Sequence, residues 1–284
     1  MTRRETAPVL APAKINLALH VTGRRADGYH LLDSLVAFTA LGDRVQVTPA
    51  AETSLTVTGP FADAVPPGAD NLCLRALEAV GARALVVLDK QLPPASGIGG
   101  GTADAAAVLR ALGRSPARPE ALGADLPACL LSRPLRMRGV GELIQPLALP
   151  VLHLVLVNPR VETPTPAVFA ALDRRDGSPL PEPVPATDAD ADADALLRWL
   201  GRTRNDLQPP ALVLRPVIGD CLAALAAQGA QFARMSGSGA TCFGVFPDVS
   251  AAQVAARAIL AASPGWWVQA TATLPGLSPA DAAG

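Results

Sequence analysis

Residues 97–101 read Gly97-Ile98-Gly99-Gly100-Gly101, and four glycines in five positions forbid both a stable helix and an ordinary strand. Glycine is needed where the backbone takes positive φ or must come close to another group. The residues that follow, Ala103 to Leu112, are strong helix formers and stop at Gly113. A glycine loop that feeds a helix N-terminus presents unpaired N–H groups and the positive end of the helix dipole, an arrangement suited to phosphate. The run from Ser96 to Asp104 therefore points to a nucleotide or phosphoester site, with a close-packing bend as the purely structural alternative. It is not a P-loop, because no Gly-Lys-[Ser/Thr] closes it and no such motif occurs elsewhere. It is a poor dinucleotide fingerprint as well. No acidic residue stands at the end of a second strand about 20 residues on, where a ribose contact needs one.

At 284 residues the chain is long enough for one large or two medium domains. A formal net charge of −1 favours neither nucleic acid nor an anionic membrane. The hydrophobic fraction of 50% and the mean hydropathy of +0.29 owe much to alanine, and no window of about 18 apolar residues is free of charge or proline. Met1 to Thr6 has basic residues without the apolar stretch of a signal peptide. The expectation is a cytoplasmic protein without nucleic-acid or membrane partners. Cys73, Cys129, Cys221 and Cys242 lie far apart with no Cys-x-x-Cys, and read as buried free thiols. His20, His30 and His153 have no metal-ligand spacing.

Along the chain, Ile15, Leu17, Leu19 and Val21 alternate with Lys14, Asn16, Ala18 and His20, which predicts a half-buried strand with a polar, solvated face. A charged turn at 23–28 precedes Tyr29, His30 and an apolar run from Leu31 to Leu41. Residues 45–48 and 55–58 alternate well and read as strands paired with each other. Asp70 reads as the N-cap of a helix over 71–80. Strands are predicted at 84–88 and 152–157, a strand–turn–strand at 233–246, and helices at 196–200, 216–227 and 251–262. The stretch 178–194 alternates prolines and then aspartates, and reads as an exposed, mobile loop. Elements of both kinds in each half argue an α+β protein of two domains, 1–148 and 149–284.

Three further groups bear on chemistry. Met235-Ser236-Gly237-Ser238-Gly239-Ala240-Thr241 makes a second backbone-exposing turn; alone it is a hairpin, but with the first loop it suggests a polyphosphate pocket. Asp125, between Gly123 and Pro127, reads locally as an N-cap. A phosphoryl-transfer base needs a carboxylate beside a cation, so Lys14 and Asp125 form a sensible pair if the fold joins them. Asp104 reads as a helix cap or a neighbour of a metal.

Taken together, Pro12-Ala13-Lys14-Ile15-Asn16-Leu17, Arg25-Ala26-Asp27-Gly28-Tyr29-His30 and Leu92-Pro93-Pro94-Ala95-Ser96-Gly97-Ile98-Gly99-Gly100-Gly101-Thr102-Ala103 resemble the GHMP kinase superfamily. The finer resemblance is to its 4-diphosphocytidyl-2-C-methyl-D-erythritol kinases. Gly123-Ala124-Asp125-Leu126-Pro127, Thr163-Pro164-Thr165-Pro166, Asn205-Asp206-Leu207 and Met235-Ser236-Gly237-Ser238-Gly239 fit in the same order, so the motifs run from about residue 11 to about 246. The resemblance implies a ribosomal-S5-like N-terminal domain, a ferredoxin-like C-terminal domain and a substrate cleft between them. It implies an ATP-dependent kinase acting on the 2-hydroxyl of a CDP-linked methylerythritol, a step of non-mevalonate isoprenoid synthesis. ATP phosphates would lie on Pro93, Pro94, Ala95, Ser96, Gly97, Ile98, Gly99, Gly100, Gly101, Thr102 and Ala103, on a helix starting near Thr102. Asp125 would be the general base and Lys14 its partner. Tyr29 and Phe169 would stack on cytosine, His30 would read its edge, and Asn16 and Thr165 would touch the erythritol end. Gly237, Ser238 and Gly239 would line the substrate site.

Mg²⁺ is expected with ATP, its protein ligands unknown, and the assembly expected is a monomer or weak homodimer. The family's usual Ser-Ser after the glycines is Thr102-Ala103 here, one hydroxyl fewer. The alternatives are another superfamily kinase, for homoserine or mevalonate, or a non-catalytic nucleotide-binding regulator. Tyr29, His30 and Phe169 argue against the first, because those substrates offer no base, and Lys14 with Asp125 argues against the second.

Overall fold

The structure, a computed structural model, describes residues 7–66, 68–185 and 193–276. In chain order its elements are β1 (Val9–Arg24), β2 (His30–Pro49), β3 (Ser54–Thr58), α1 (Leu72–Ala79), β4 (Ala84–Asp89), α2 (Gly100–Leu112), α3 (Leu126–Leu131), β5 (Leu135–Gly139), β6 (Leu143–Pro146) and β7 (His153–Asn158). They continue with α4 (Thr165–Ala170), α5 (Ala193–Leu200), α6 (Gln208–Leu214), α7 (Val217–Ala227), β8 (Phe232–Met235), β9 (Cys242–Phe246), α8 (Val249–Ala262) and β10 (Trp267–Ala272). This is the α+β content the sequence predicts. No single helix among the described residues is long and apolar enough to cross a membrane.

Compactness divides the chain into two units that interleave along the sequence. One takes the described residues through Lys14, with Leu41–Pro94 and Gly99–Ser132; the other takes Ile15–Ala40, Ala95–Ile98 and the described chain from Arg133 on. In the first unit β4 is the middle strand. It pairs antiparallel with residues 44–49 of β2 and parallel with β3. The predicted pairing of 45–48 with 55–58 is therefore corrected: β4 lies between them. Strand β4, later in sequence than both neighbours, takes the backbone bonds of each. Helix α1 packs on α2, and α2 on α3. The cap of α1 is Asn71 rather than the expected Asp70, since the Asn71 side chain accepts from Cys73 N at 2.9 Å.

In the second unit β1 pairs β2 through a turn closed by Arg25 N donating to Tyr29 O, and β2 pairs β5 over 32–36. A separate antiparallel sheet runs β10-β7-β9-β8, with α7 and α8 packed on it over a core that includes Val155, Val157, Ile218, Leu225 and Ile259. Helices α4 and α6 and strand β10 were not predicted. Helix α6 opens with Pro209 and Pro210 in its first turn, where a missing N–H costs nothing, so the prolines start the helix instead of breaking it.

Two more expectations change. Both faces of β1 are buried from Ala11 to Val21, with Lys14, Asn16 and His20 each at most 5% exposed, so its polar face is not solvated. Residues 178–185 are tied down: Leu180 and Val184 are buried, Leu180 N donates to Asp33 at 2.9 Å and Trp199 Nε1 to Pro181 O at 3.2 Å. Residues 186–192 of that predicted loop, the aspartate-rich part, lie outside the described residues.

Candidate active site

The glycine run dictates its own geometry. Gly99 sits at φ +68° as the N-cap of α2, whose first backbone bond runs from Ala103 N to Gly99 O at 2.9 Å. The helix thus opens at Gly100, two residues before the expected start near Thr102. Gly100, Gly101 and Thr102 form its first turn, where backbone N–H groups have no helical acceptor. A methyl group on Gly99 would sit 3.3 Å from Lys14 Cβ, so the loop lies directly on the lysine stem. Gly113 ends the helix in the left-handed conformation, as its sequence signature requires.

Within the same unit, Lys14 Nζ meets Asp125 Oδ2 at 2.7 Å. Asp125 occupies the N-cap position of α3 but makes no capping bond, so the predicted cap is a cap in place only. Its carboxylate is turned to Lys14, and the side chain is 34% exposed while Lys14 is 6% exposed. A carboxylate held by one buried cation and open on its other side is accessible to a substrate hydroxyl. Thr102 approaches the same region: a Cβ on Gly123 would lie 3.7 Å from its Oγ1. Ala103 is fully buried in α2, so a hydroxyl there would be sequestered from any ligand.

Beneath the loop lies a buried charge cluster that the sequence did not disclose. Lys90 Nζ donates to Asp43 Oδ2 at 2.5 Å and to Asp104 Oδ2 at 2.7 Å, and Asp43 Oδ1 accepts from the backbone N–H groups of Gln91 and Leu92. Lys90 Nζ would stand 3.1 Å from a Cβ on Gly100, so a side chain there would press on the lysine. Burial pushes the Asp104 carboxyl up to about 8, with the neighbouring Asp43 charge adding to the rise and Lys90 opposing it. Asp104 is therefore not the helix cap: it sits a full turn inside α2, 3% exposed and engaged by Lys90. Among the described residues no group of three His, Cys, Asp or Glu side chains could hold a metal ion.

The second unit holds the rest of the predicted site. Residues 95–98 press on the Ser-Gly turn: Ser236 Oγ donates to Gly97 O at 3.2 Å, and Thr241 N donates to Ser96 O at 3.1 Å. The two glycine loops are thus in contact, and a Cβ on Gly97, at φ +76°, would fall 2.7 Å from both Gly239 O and Ser236 O. Asn205 holds the turn from below, donating to Met235 O and Gly237 O at 2.8 and 2.9 Å. Thr165 Oγ1 and Ser238 Oγ are 2.7 Å apart. Asn16 N donates to Ser236 Oγ, and Asn16 Nδ2 donates to Ser34 Oγ at 2.8 Å, leaving the buried Asn16 Oδ1 without a partner.

His30 lies stacked on Phe169 with centroids 4.8 Å apart and planes 21° apart, and its buried Nε2 has no partner among the described residues. Burial, reinforced by the Arg24 and Arg175 charges, lowers the His30 pKa and keeps the ring neutral near pH 7. Tyr29, by contrast, is 64% exposed. Ser34, Asn205, Lys90 and Asp43 were not singled out for any role. Each is a polar residue inside an apolar or loop context, and only the tertiary partners distinguish it from a solvated side chain.

The GHMP kinases N terminal domain matches residues 71–131 and the GHMP kinases C terminal domain residues 188–264. A 4-diphosphocytidyl-2-C-methyl-D-erythritol kinase of Paracoccus denitrificans is 60% identical over 98% of each chain. The crystal structure of a 4-(cytidine 5'-diphospho)-2C-methyl-D-erythritol kinase matches with a TM-score of 0.76 at 36% identity, covering 94% of this chain and all of that one. A homoserine kinase from Cytophaga hutchinsonii matches with a TM-score of 0.63 over 95% of each chain; at 19% identity the likeness is one of fold alone.

Proposed function

The chain belongs to the 4-diphosphocytidyl-2-C-methyl-D-erythritol kinases of the GHMP kinase superfamily, and from that membership we propose that it transfers the γ-phosphoryl group of ATP to the 2-hydroxyl of 4-diphosphocytidyl-2-C-methyl-D-erythritol, with Asp125 as general base. The product is the 2-phosphate that non-mevalonate isoprenoid synthesis requires. Membership makes the protein a phosphotransferase; the observation that carries the mechanism is the 2.7 Å Lys14–Asp125 pair, buried on the lysine side and open on the carboxylate side.

The step runs as follows. Asp125 accepts the hydroxyl proton as the substrate oxygen bonds to the γ-phosphorus; the bond from that phosphorus to the β–γ bridging oxygen breaks, and ADP leaves with the electron pair. Lys14 holds the carboxylate aligned through the 2.7 Å pair. The N–H groups at the start of α2 receive phosphate oxygens, and positioning with charge stabilisation supplies most of the acceleration. Magnesium enters as part of the ATP substrate. The unpartnered Asn16 Oδ1 and His30 Nε2 support roles toward the substrate hydroxyls and the cytosine edge, since buried polar atoms are seldom left unpaired. Thr165, Phe169, Tyr29 and residues 237–239 complete the proposed substrate side, and residues 93–103 the ATP side. The domain boundary at 1–148 and 149–284 is a proposal: the matched segments, 71–131 and 188–264, fall on either side of it, while the compact units of the structure interleave across it.

Turnover is tested by ADP release with the CDP-polyol, homoserine and mevalonate in parallel. The first substrate alone is expected to support it; no turnover of that substrate refutes the assignment. Asp125→Asn should lower kcat by about 100-fold or more. Full turnover by that variant would remove the base from the mechanism.

A further inference from the structure

Arg110 stands ten residues after the start of α2, and its guanidinium is committed to main chain and one hydroxyl. Nη1 donates to Cys129 O at 2.5 Å and to Ser132 Oγ at 2.8 Å, while Nη2 donates to Leu10 O at 2.5 Å. No carboxylate pairs with it among the described residues. The planar guanidinium fork is thus given wholly to uncharged acceptors on two other elements. What these acceptors share is their place in the fold. Cys129 belongs to α3, and its own N–H donates to Asp125 O at 3.0 Å. One helical turn therefore separates the arginine's acceptor from the carboxylate residue. Leu10 lies on β1, four residues before Lys14.

We infer that Arg110 is the positioning residue for the Lys14–Asp125 pair, one fork fixing the short helix that carries the carboxylate and the other fixing the strand that carries the lysine. The inference rests on the proposed role of Asp125 as base. A six-residue helix has too few internal bonds to hold its own orientation. Its last carbonyls lack helical donors, and at its far end Ser132 takes the left-handed conformation at φ +49°. Ser132 Oγ also donates to Cys129 O at 2.5 Å, so the hydroxyl and the guanidinium grip the same turn. Because Arg110 rides on α2, whose N-terminus is the glycine loop, the helix that meets the phosphates also sets the spacing of base and lysine. Only a planar fork reaches two backbones at once; a lysine at this position would reach one.

The experiment is a kinetic comparison of Arg110→Lys, Arg110→Met, Asp125→Asn and the double variant Arg110→Lys/Asp125→Asn, assayed below the melting transition of each. Arg110→Lys is expected to lower kcat by roughly 10- to 100-fold, as misplacement by an ångström does, with KM for ATP and for the CDP-polyol within about 2-fold of the parent. In the Asp125→Asn background the same substitution should cost less than about 2-fold, because the group it positions is already gone. Where Arg110→Met fails to fold, Arg110→Lys carries the same test. A parental kcat in Arg110→Lys overturns the inference, and so does an equal loss in both backgrounds, since a merely structural role would act regardless of the base. Full turnover by Asp125→Asn overturns the base assignment and this inference with it, whereas an ordinary Asp125→Asn defect beside a silent Arg110 overturns the inference alone.

Discussion

Two glycines with positive φ separate conformational need from steric need. Gly97 and Gly113 lie at φ +76° and +61°, yet only Gly97 has backbone where a Cβ would go. Gly113→Ala should cost about 1 kcal/mol, the left-handed penalty, and leave activity intact. Gly97→Ala should carry that penalty and also force residues 95–98 away from the Ser236–Gly239 turn. Its KM for ATP should rise several-fold. Thermal melts and ATP titrations of the two variants check this; equal behaviour would mean that the contact of the two loops does not matter. Neither distinction is present in the residue type, which is glycine in both cases.

At the scale of elements, the segment 178–185 shows what composition conceals. Its prolines and lack of large side chains read as a loose loop, and most of it is surface. One buried acid on β2 nevertheless anchors it. Asp33 receives Arg136 through two bonds of 2.8 and 2.7 Å and Leu180 N at 2.9 Å, while Arg136 also pairs with Glu182. Burial raises the Asp33 carboxyl, but the Arg136 guanidinium and the Leu180 N–H outweigh it and hold the pKa below the ordinary value. A depressed folded pKa gives stability that is present above the unfolded value, about 4, and lost as pH falls through the folded one. Asp33→Asn should therefore cost about 3 kcal/mol at pH 7 and less near pH 3, because the advantage of the ion-paired carboxylate shrinks once pH falls below the unfolded value. Urea midpoints at the two pH values decide it, and an equal cost at both would refute the anchoring role.

Across the whole molecule, the Lys90–Asp43–Asp104 cluster ties global stability to pH. Asp104 titrates near 8 in the folded protein and near 4 when unfolded, so between those values the folded state holds the extra proton. Stability contributed by that proton is complete below about pH 4 and declines as pH rises to about 8. Denaturant midpoints of the parent should fall from pH 6 to pH 8, and Asp104→Asn should flatten the slope. Parallel curves for the two proteins would show that Asp104 is already ionised at pH 6.

The linear sequence determined more than its local patterns suggest. The Gly97–Gly101 run, the helix ended by Gly113 and the alternation over 15–21 are short-range signals, because φ restrictions and side-chain period act within a few residues. Those signals, with the ordered motifs around Lys14, Tyr29-His30 and Asp125, were enough for the α+β class and the kinase family. Tertiary structure decided everything that depends on partners distant in sequence. It inserted β4 between β2 and β3, buried the polar face of β1, and turned Asp125 from a cap into the partner of Lys14. It also gave Asp104 to Lys90 instead of to the helix cap. A carboxylate reads the same on the page whether it caps, coordinates or pairs, and only the low-dielectric neighbourhood built by folding selects among those uses.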